Sequence, residues 1–423
     1  MWFVYESLLC LGLLLVYVPM ALIRRRLPHR GWFMRCGRYP PSVREALTAG
    51  GAIWVHAVSV GEVRASELLV QQLRGLVPQA PVVLSTITPS GFAVASQQLA
   101  PEVIPVYFPL DLRLCVRRAL ATVRPRLLLL LESEFWPTMV RLTKARGTPI
   151  AVVNGRISAG AYARYGWARR WVRRTLREVD LFLMQTQADA DRATALGAPP
   201  ERVLVTGSLK WESSLQSRPT LDEIRQTARQ AGLDDGATVL VAGSTHRGEE
   251  QALLQAFRAV RAVHRQARLI IAPRHLERLD EVEGLIRQTG LSSARLSRAS
   301  SGAWDVGLVD TFGQLMRYYG LASLVFVGGS LIPHGGQNPA EPAGLGRPIL
   351  FGPSMQNFHE MAEQLLSHQA ARQIADSRAL AQACLSCLSD RASAEAMGAR
   401  ARALTERSAG STQRTLDALQ RFF

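Results

Sequence analysis

Short apolar segments that alternate with helical segments constrain the fold more than any other feature of this sequence. The apparent strands of the first half are IWVHAVSV, VVLSTIT, LLLLLES, IAVVNG, LFLMQT and VLVTGS, and those of the second half are TVLVAGST, LIIAPR, VGLVDT, LVFVGGS and PILFGP. Continuous apolar strands separated by helices are typical of parallel sheets that are covered by helices on both faces. A polar stretch at residues 211–237 interrupts the pattern. The sequence therefore predicts an α/β protein with two doubly wound halves and a cleft between them.

Composition and charge narrow the class of protein. A length of 423 residues with 48% apolar and 20% charged residues excludes a disordered chain and a small disulfide scaffold. The five cysteines show no disulfide pattern, and we expect Cys384 and Cys387, which lie in an apolar helical run, to pack in the core. The net charge of +16 attracts phospholipid, a phosphorylated substrate or nucleic acid, although a compositional bias toward arginine explains much of it equally well.

The first residues predict a membrane anchor. Residues 1–23 carry one charge, Glu6, and are followed by Arg24, Arg25 and Arg26, which is the reverse of the order in a signal peptide. The pattern predicts an uncleaved anchor at residues 1–26 whose basic end stays on the cytoplasmic side. Because the uncharged run is close to the lower limit for spanning a bilayer, a helix that lies in the headgroup region is the alternative.

A second basic and aromatic segment covers residues 162–177, with the sequence YARYGWARRWVRRTLR. Trp167 and Trp171 are four residues apart, which places both on one face of a continuous helix, with arginines on the other faces. The segment fits contact with lipid headgroups or an acidic lipid substrate, and an ordinary solvated helix fits it equally well.

Charged residues in the first half follow predicted strands. Glu62 opens the helix after HAVSVG, where a carboxylate either caps the helix or acts as a general base. Glu132 and Glu134 follow five leucines, and carboxylates at the end of a buried strand need either bonding partners or a functional role. Lys210 follows the strand that ends in VTGS. Since Lys144 is the only other lysine, a functional role is favoured for Lys210, whose ammonium suits a phosphate.

The second half has turns that are suited to anions at successive strand ends. Backbone N–H and hydroxyl groups are expected at Ser244, Thr245 and His246, at residues 273–275, at the glycine turn 328–330 and at residues 338–341, where Glu341 is placed to face a ribose. Together these turns predict a nucleotide site. The P-loop and GxGxxG patterns are missing, and the histidines show no metal-binding spacing.

With these motifs assembled, the chain resembles the bacterial Kdo transferase family, where Kdo is 3-deoxy-D-manno-octulosonic acid. The resemblance runs almost end to end, through HAVSVGE, TITPSG, YFPLD, ESEFWP, NGRIS, VTGSLK, STHRGEE, APRH, VDTFGQL, FVGGSLIPHGGQNPAEP and FGPSMQNF. It implies a GT-B-type glycosyltransferase with two Rossmann-like domains, with CMP-Kdo as the donor, lipid A precursor (lipid IVA) as the acceptor, and no metal or other cofactor. The organisation it implies is an anchor at 1–26, an acceptor-binding domain at 27–212 and a CMP-sugar-binding domain at 213–423 whose last helix can pack back on the first domain.

The resemblance also implies roles for single residues. Glu62 is the expected general base of an inverting transfer, and Glu132 and Lys210 assist the transition state. Beside the turn Ser244, Thr245 and His246, the expected CMP contacts are Pro273, Arg274, Phe312, Gly313, Gln314, Asn338, Pro339, Ala340 and Glu341. Two positions depart from the family pattern: Met34 stands where an acidic residue is common, and Gln314 replaces a carboxylate with a neutral acceptor.

The sequence thus predicts a Kdo transferase on the cytoplasmic face of the inner membrane, held there by a single anchor and phospholipid contacts, with no nucleic-acid partner. A GT-B enzyme that transfers from a UDP-sugar to a membrane glycolipid is one alternative. A non-catalytic basic protein that binds membranes or nucleic acid is another, and the carboxylates at the strand ends disfavour it.

Overall fold

The computed structural model describes residues 2–12, 31–216, 218–234, 236–298 and 304–423. The chain divides into two compact units, the first formed by Met1–Lys210 with Gly410–Phe423, and the second by Trp211–Ala409. The division after Lys210 lies two residues before the predicted boundary at 212. The segment Gly410–Phe423 belongs to the first unit, on which the last helix was expected to pack.

The first unit is built on a parallel sheet with the strand order β3-β2-β1-β4-β5-β6-β7. Its strands are β1 Ala52–His56, β2 Val82–Thr86, β3 Ile104–Tyr107, β4 Pro125–Leu131, β5 Ile150–Gly155, β6 Leu181–Met184 and β7 Val203–Val205. Its helices are Trp2–Gly12, Trp32–Arg35, Pro41–Ala46, Val60–Leu76, Pro89–Gln98, Arg113–Val123, Pro137–Lys144, Ala159–Trp167, Arg169–Arg177, Gln187–Leu196 and Ser411–Leu419, and the helix Leu209–Gln216 begins at the boundary of the two units.

The core of the first unit lies on both faces of this sheet. Along β4, Leu128 and Leu130 pack on one face, while Leu127, Leu129 and Leu131 pack on the other. Successive side chains of a strand point to opposite faces, so a strand that is covered on both sides needs an unbroken apolar run. The run of five leucines meets that requirement.

The second unit has a parallel sheet with the order β10-β11-β9-β8-β12-β13-β14. Its strands are β8 Val239–Thr245, β9 Arg268–Pro273, β10 Ser293–Arg295, β11 Val306–Leu308, β12 Leu324–Val327, β13 Ile349–Phe351 and β14 Arg372–Gln373. Its remaining helices are Leu221–Gln230, Glu249–Val263, Leu279–Gln288, Leu315–Leu321, Ala340–Gly344, His359–Ser367, Ser377–Ser389 and Arg391–Arg407. Cys384 and Cys387 are buried in its core, as predicted.

Hydroxyl side chains fix the starts of several helices directly after strands. In the first unit the side chains of Ser59, Thr88 and Thr186 each accept a hydrogen bond from the backbone N–H three residues later. Such caps satisfy N–H groups that have no partner within the helix. They also place the first helical turn at a fixed position beyond the carboxyl end of each strand.

The predicted helix across residues 162–177 is wrong in one respect. Ala168 has φ −104° and ψ 23°, which interrupts the segment between Ala159–Trp167 and Arg169–Arg177. The four-residue spacing of Trp167 and Trp171 spans this interruption, so it no longer places the two residues on one helix face.

The predicted anchor is described only in its first part, the helix Trp2–Gly12, and residues 13–26 lie outside the described residues. The Tyr5 hydroxyl donates to Oδ2 of Asp111 at 2.9 Å, and the Arg113 backbone N–H donates to Oε1 of Glu6 at 3.1 Å. These contacts connect the helix to the rest of the first unit. Within the described ranges, no helix combines the length and apolar character needed to cross a membrane.

Candidate active site

The strand order of the first sheet reverses between β1 and β4, and the segments that follow these two strands carry Glu62 and Glu132. Ligands of open α/β sheets bind at such a switch point, beyond the carboxyl ends of the strands. Glu62 lies in the first turn of the helix Val60–Leu76 and is 6% exposed. Its carboxylate accepts hydrogen bonds from the Val58 backbone N–H and the Ser59 hydroxyl, each at 2.9 Å.

The environment of Glu62 changes its ionisation. Burial raises its pKa from 4.5 to about 7, and the negative charge of Glu132 adds to this, while the hydrogen bonds from Val58 and Ser59 act in the opposite direction. Glu62 therefore has both features that the sequence left open: it contacts the start of its helix, and its pKa suits a general base near neutral pH.

Glu132 follows β4 with a left-handed backbone, φ 57°. Its carboxylate forms an ion pair with the ammonium of Lys210. Burial raises the pKa of Glu134 to about 7, with a further contribution from the charge of Glu132. The first unit thus brings together all three residues that were predicted to be catalytic, with Glu134 beside them.

Two buried side chains that the sequence analysis missed hold this group. The Leu209 backbone N–H donates to Oδ1 of Asn154 at 3.0 Å, next to Lys210. Asp111 accepts from the backbone N–H groups of Thr138 and Met139 at 2.9 and 2.7 Å, in the first turn of the helix that follows the Glu132 loop. The motifs NGRIS and YFPLD contain these residues, but their partners are distant in sequence.

In the second unit the end of β8 and the turn that follows it are tightly packed. Ser244 has a left-handed φ of 54°, and its carbonyl contacts Nδ1 of His246 at 3.1 Å. A Cβ atom on Gly328 would lie 2.4 Å from the same carbonyl oxygen, so only glycine permits this approach of β8 and β12. Thr245 is fully buried, and its hydroxyl donates to Glu250 at 3.0 Å.

His246 lies among two other histidines. Its ring centroid is 3.9 Å from that of His334 and 5.8 Å from that of His275. Burial lowers the pKa of His246 to about 4, and the charge of His334 lowers it further. His246 is therefore a neutral imidazole at pH 7. In the described part of the chain, no three His, Cys, Asp or Glu side chains are arranged to hold a metal ion.

The glycine turn at 328–330 does not serve as the open anion site that the sequence suggested. The backbone N–H groups of Gly329, Ser330 and Leu331 all donate to the buried carboxylate of Glu249, at 2.7–3.0 Å. The His246 N–H donates to the same carboxylate at 3.0 Å. A side chain of the protein thus occupies the place that was predicted for a ligand anion, and Glu249 joins the turns after β8 and β12.

The other residues of the predicted nucleotide site lie at neighbouring strand ends. Pro273 is paired with Thr245 in the sheet, and the Arg274 backbone N–H donates to the Thr245 carbonyl at 2.9 Å. The side chain of Arg274 is exposed. The turn after β11 exposes 77% of Phe312. Gly313, in the same turn, has φ 78°, and Gln314 precedes the helix Leu315–Leu321.

The segment 338–341 starts the helix Ala340–Gly344. Asn338 donates from Nδ2 to Oε1 of Glu341 at 3.3 Å and accepts from the Ala340 N–H at 3.1 Å. Ala340 and Pro339 are buried, whereas Asn338 and Glu341 are partly exposed. Of this segment, the two polar side chains are therefore the ones that remain accessible to a ligand.

Comparisons with known proteins identify the family. A family profile described as 3-deoxy-D-manno-octulosonic-acid transferase (kdotransferase) matches residues 30–213. A 3-deoxy-D-manno-octulosonic acid transferase of Haemophilus influenzae is 30% identical over 99% of this chain and 98% of its own length. The enzyme of the same name from Bordetella pertussis is 36% identical over 87% of this chain and 86% of its own length. The chain belongs to the Kdo transferase family. The predicted family is confirmed, and the chain is an enzyme, a glycosyltransferase.

Solved structures agree with the fold. Anabaena HepE in complex with UDP is 14% identical and covers 88% of this chain and 100% of its own, with a TM-score of 0.54. UDP-GlcNAc 2-epimerase from Neisseria meningitidis, bound to UDP-GlcNAc, is 12% identical over 88% of this chain and 100% of its own, with a TM-score of 0.53. At this level of identity the likeness concerns architecture alone. It confirms the α/β fold with two parallel sheets for this Kdo transferase family member.

Proposed function

We propose that this enzyme transfers Kdo from CMP-Kdo to lipid A precursor (lipid IVA), with inversion at the anomeric carbon and with Glu62 as the general base. The main support is the geometry at the first switch point: a buried carboxylate with a pKa of about 7 lies beside Glu132, which is ion-paired to Lys210. The proposal that Kdo is the transferred sugar is supported by membership of the Kdo transferase family.

In the proposed reaction Glu62 takes the proton from a glucosamine hydroxyl of the lipid. The resulting oxygen nucleophile attacks the anomeric carbon of Kdo, and the bond from that carbon to the phosphate oxygen of CMP breaks. The electron pair leaves with CMP, and the proton stays on Glu62 until water removes it. Lys210 stabilises the negative charge that develops on the phosphate, and Glu132 orients the Lys210 ammonium.

For the second unit we propose that the exposed guanidinium of Arg274 binds the CMP phosphate and that Glu341 binds the ribose hydroxyls. Phe312 offers an exposed ring for the base. Thr245 and Glu249 support the turns, because their polar groups already have partners within the unit. The reaction is proposed to need no metal or cofactor, so full activity in excess EDTA is the expected result.

We also propose that the enzyme acts at the cytoplasmic face of the inner membrane. The support is the basic segment Arg169–Arg177 together with the helix Trp2–Gly12, whose Tyr5 ring lies 6.1 Å from the ring of Trp171. Holding the enzyme on the surface that contains its lipid acceptor raises the effective concentration of that acceptor.

The test is mass spectrometry of tetraacylated lipid A precursor after incubation with CMP-Kdo and enzyme. The unchanged enzyme should add Kdo, and UDP-sugars should give no product. Glu62→Gln should lower kcat by about 100-fold or more, since general-base catalysis contributes about 10²–10⁴. Glu67→Gln, which alters an exposed carboxylate on the same helix, is the matched control. Wild-type turnover by a folded Glu62→Gln variant would refute the assignment of the base.

A further inference from the structure

The end of β5 forms hydrogen bonds with the backbone at Glu132 and next to Lys210, the two residues of the ion pair. The Glu132 backbone N–H donates to the Val153 carbonyl at 3.0 Å. The next residue, Asn154, accepts through Oδ1 from the N–H of Leu209, which directly precedes Lys210. Val153 and Asn154, two consecutive residues of β5, therefore fix the backbone positions at Glu132 and Lys210.

Asn154 is itself held in place. It is fully buried with a left-handed φ of 54°, a conformation that asparagine adopts more readily than most residues. The Gln185 side chain donates from Nε2 to the Asn154 carbonyl at 3.0 Å. Gln185 is also buried, so the Asn154 side chain has little freedom to move away from Leu209.

Two requirements restrict which residue can occupy position 154. The side chain must present an acceptor to the Leu209 N–H, and the backbone must tolerate positive φ, which aspartate and asparagine satisfy among residues of this length. An aspartate would place a further buried negative charge next to Glu132, which is unfavourable. Asparagine supplies the acceptor without the charge.

We propose that Asn154 is a positioning residue that fixes the start of the helix Leu209–Gln216 and thereby holds Lys210 against Glu132. This inference rests on the proposed role of Lys210 in the transfer reaction. Asn154 acts through Lys210 and does not touch the substrate.

Asn154→Gly is the sharpest variant, because glycine keeps the positive φ and removes the side chain that carries the acceptor. We expect a decrease in kcat of about tenfold, which corresponds to the loss of one ordinary hydrogen bond. The KM for CMP-Kdo should change less than kcat. Arg124→Gly is the matched control: Arg124 also has positive φ (44°) and also bonds backbone carbonyls, but it precedes β4, at the opposite end of the sheet. It should leave kcat unchanged.

A double-mutant cycle with Lys210→Met separates positioning from a general structural effect. If Asn154 acts through Lys210, the double variant should have the same kcat as Lys210→Met alone. A double variant about tenfold slower than Lys210→Met, or an Asn154→Gly variant with wild-type kcat, would overturn the inference. If Lys210→Met itself had wild-type activity, the proposed function of Lys210 would fail instead, so the two failures are distinguishable.

Discussion

Glu62→Gln should stabilise the fold at the same time as it lowers kcat. Burial and the charge of Glu132 raise the pKa of Glu62 from an ordinary 4.5 to about 7. Each tenfold change in an ionisation equilibrium corresponds to about 1.4 kcal/mol. The folded protein therefore destabilises the ionised carboxylate of Glu62 by about 3 kcal/mol relative to the unfolded chain. Glutamine has no charge to bury, and the Ser59 hydroxyl can accept from its amide where it now donates to the carboxylate.

The sign of the effect depends on pH in a defined way. Below pH 4.5, Glu62 is protonated in both the folded and the unfolded chain, and its ionisation has no effect on stability. Between pH 4.5 and 7 the unfolded chain ionises first, so the free energy of unfolding decreases as pH rises, and above pH 7 this loss is constant. The advantage of the glutamine variant should therefore be about 1 kcal/mol at pH 5 and about 3 kcal/mol at pH 8.

Urea denaturation of both proteins at pH 5 and pH 8, followed by tryptophan fluorescence, measures this difference directly. Contributions from titrating groups that do not interact with Glu62 cancel in the comparison. Glu67→Gln should show the same stability as the unchanged protein at both pH values. A Glu62→Gln variant that is less stable at pH 8, or whose difference from the unchanged protein is independent of pH, would refute the conclusion that Glu62 is held with a raised pKa.

Three further outcomes follow from the same structure. With a pKa of about 7 for Glu62, kcat/KM at pH 6 should be about tenfold below its value at pH 8, and a flat profile across this range would contradict the role as a base. Burial also raises the pKa of Asp111 from 3.8 to about 7, so the stability of Asp111→Asn relative to the unchanged protein should increase as pH rises from 5 to 8, and a difference in urea denaturation that is independent of pH would refute this. Glu249→Ala should destabilise the protein by about 3 kcal/mol or more, since the buried N–H groups of the 329–331 turn lose both acceptor oxygens, and chemical denaturation measures this loss.

The sequence predicted the central strands of both sheets and missed three strands. The missed strands, β3, β10 and β14, all lie at sheet edges. An edge strand packs less completely, and the residues of β10 are only partly buried while those of β14 are exposed. β10 and β14 therefore lack the unbroken apolar run that identifies a doubly covered strand, whereas β3 is apolar but contains Pro105, which is unfavourable within a strand.

The residues of the site that follow the ends of strands were predictable from the sequence. Glu62, Glu132 and Lys210 each follow a strand, and parallel strands present their carboxyl ends at one edge of the sheet. The supporting contacts were not predictable, because Asn154 bonds Leu209 and Asp111 bonds Thr138 across long stretches of chain. The glycine turn at 328–330 was misread for a related reason. Its N–H groups look the same in sequence whether they bind a substrate anion or the carboxylate of Glu249.

The return of the chain from the second unit to the first affects how the protein is made. Leu416 and Leu419 pack in the same core as β1 and β4, so the core of the first unit stays incomplete until these residues have left the ribosome. The second unit, in contrast, is one continuous stretch and has all of its residues available earlier. The first unit is thus expected to reach its final packing only after all residues of the second unit have been synthesised.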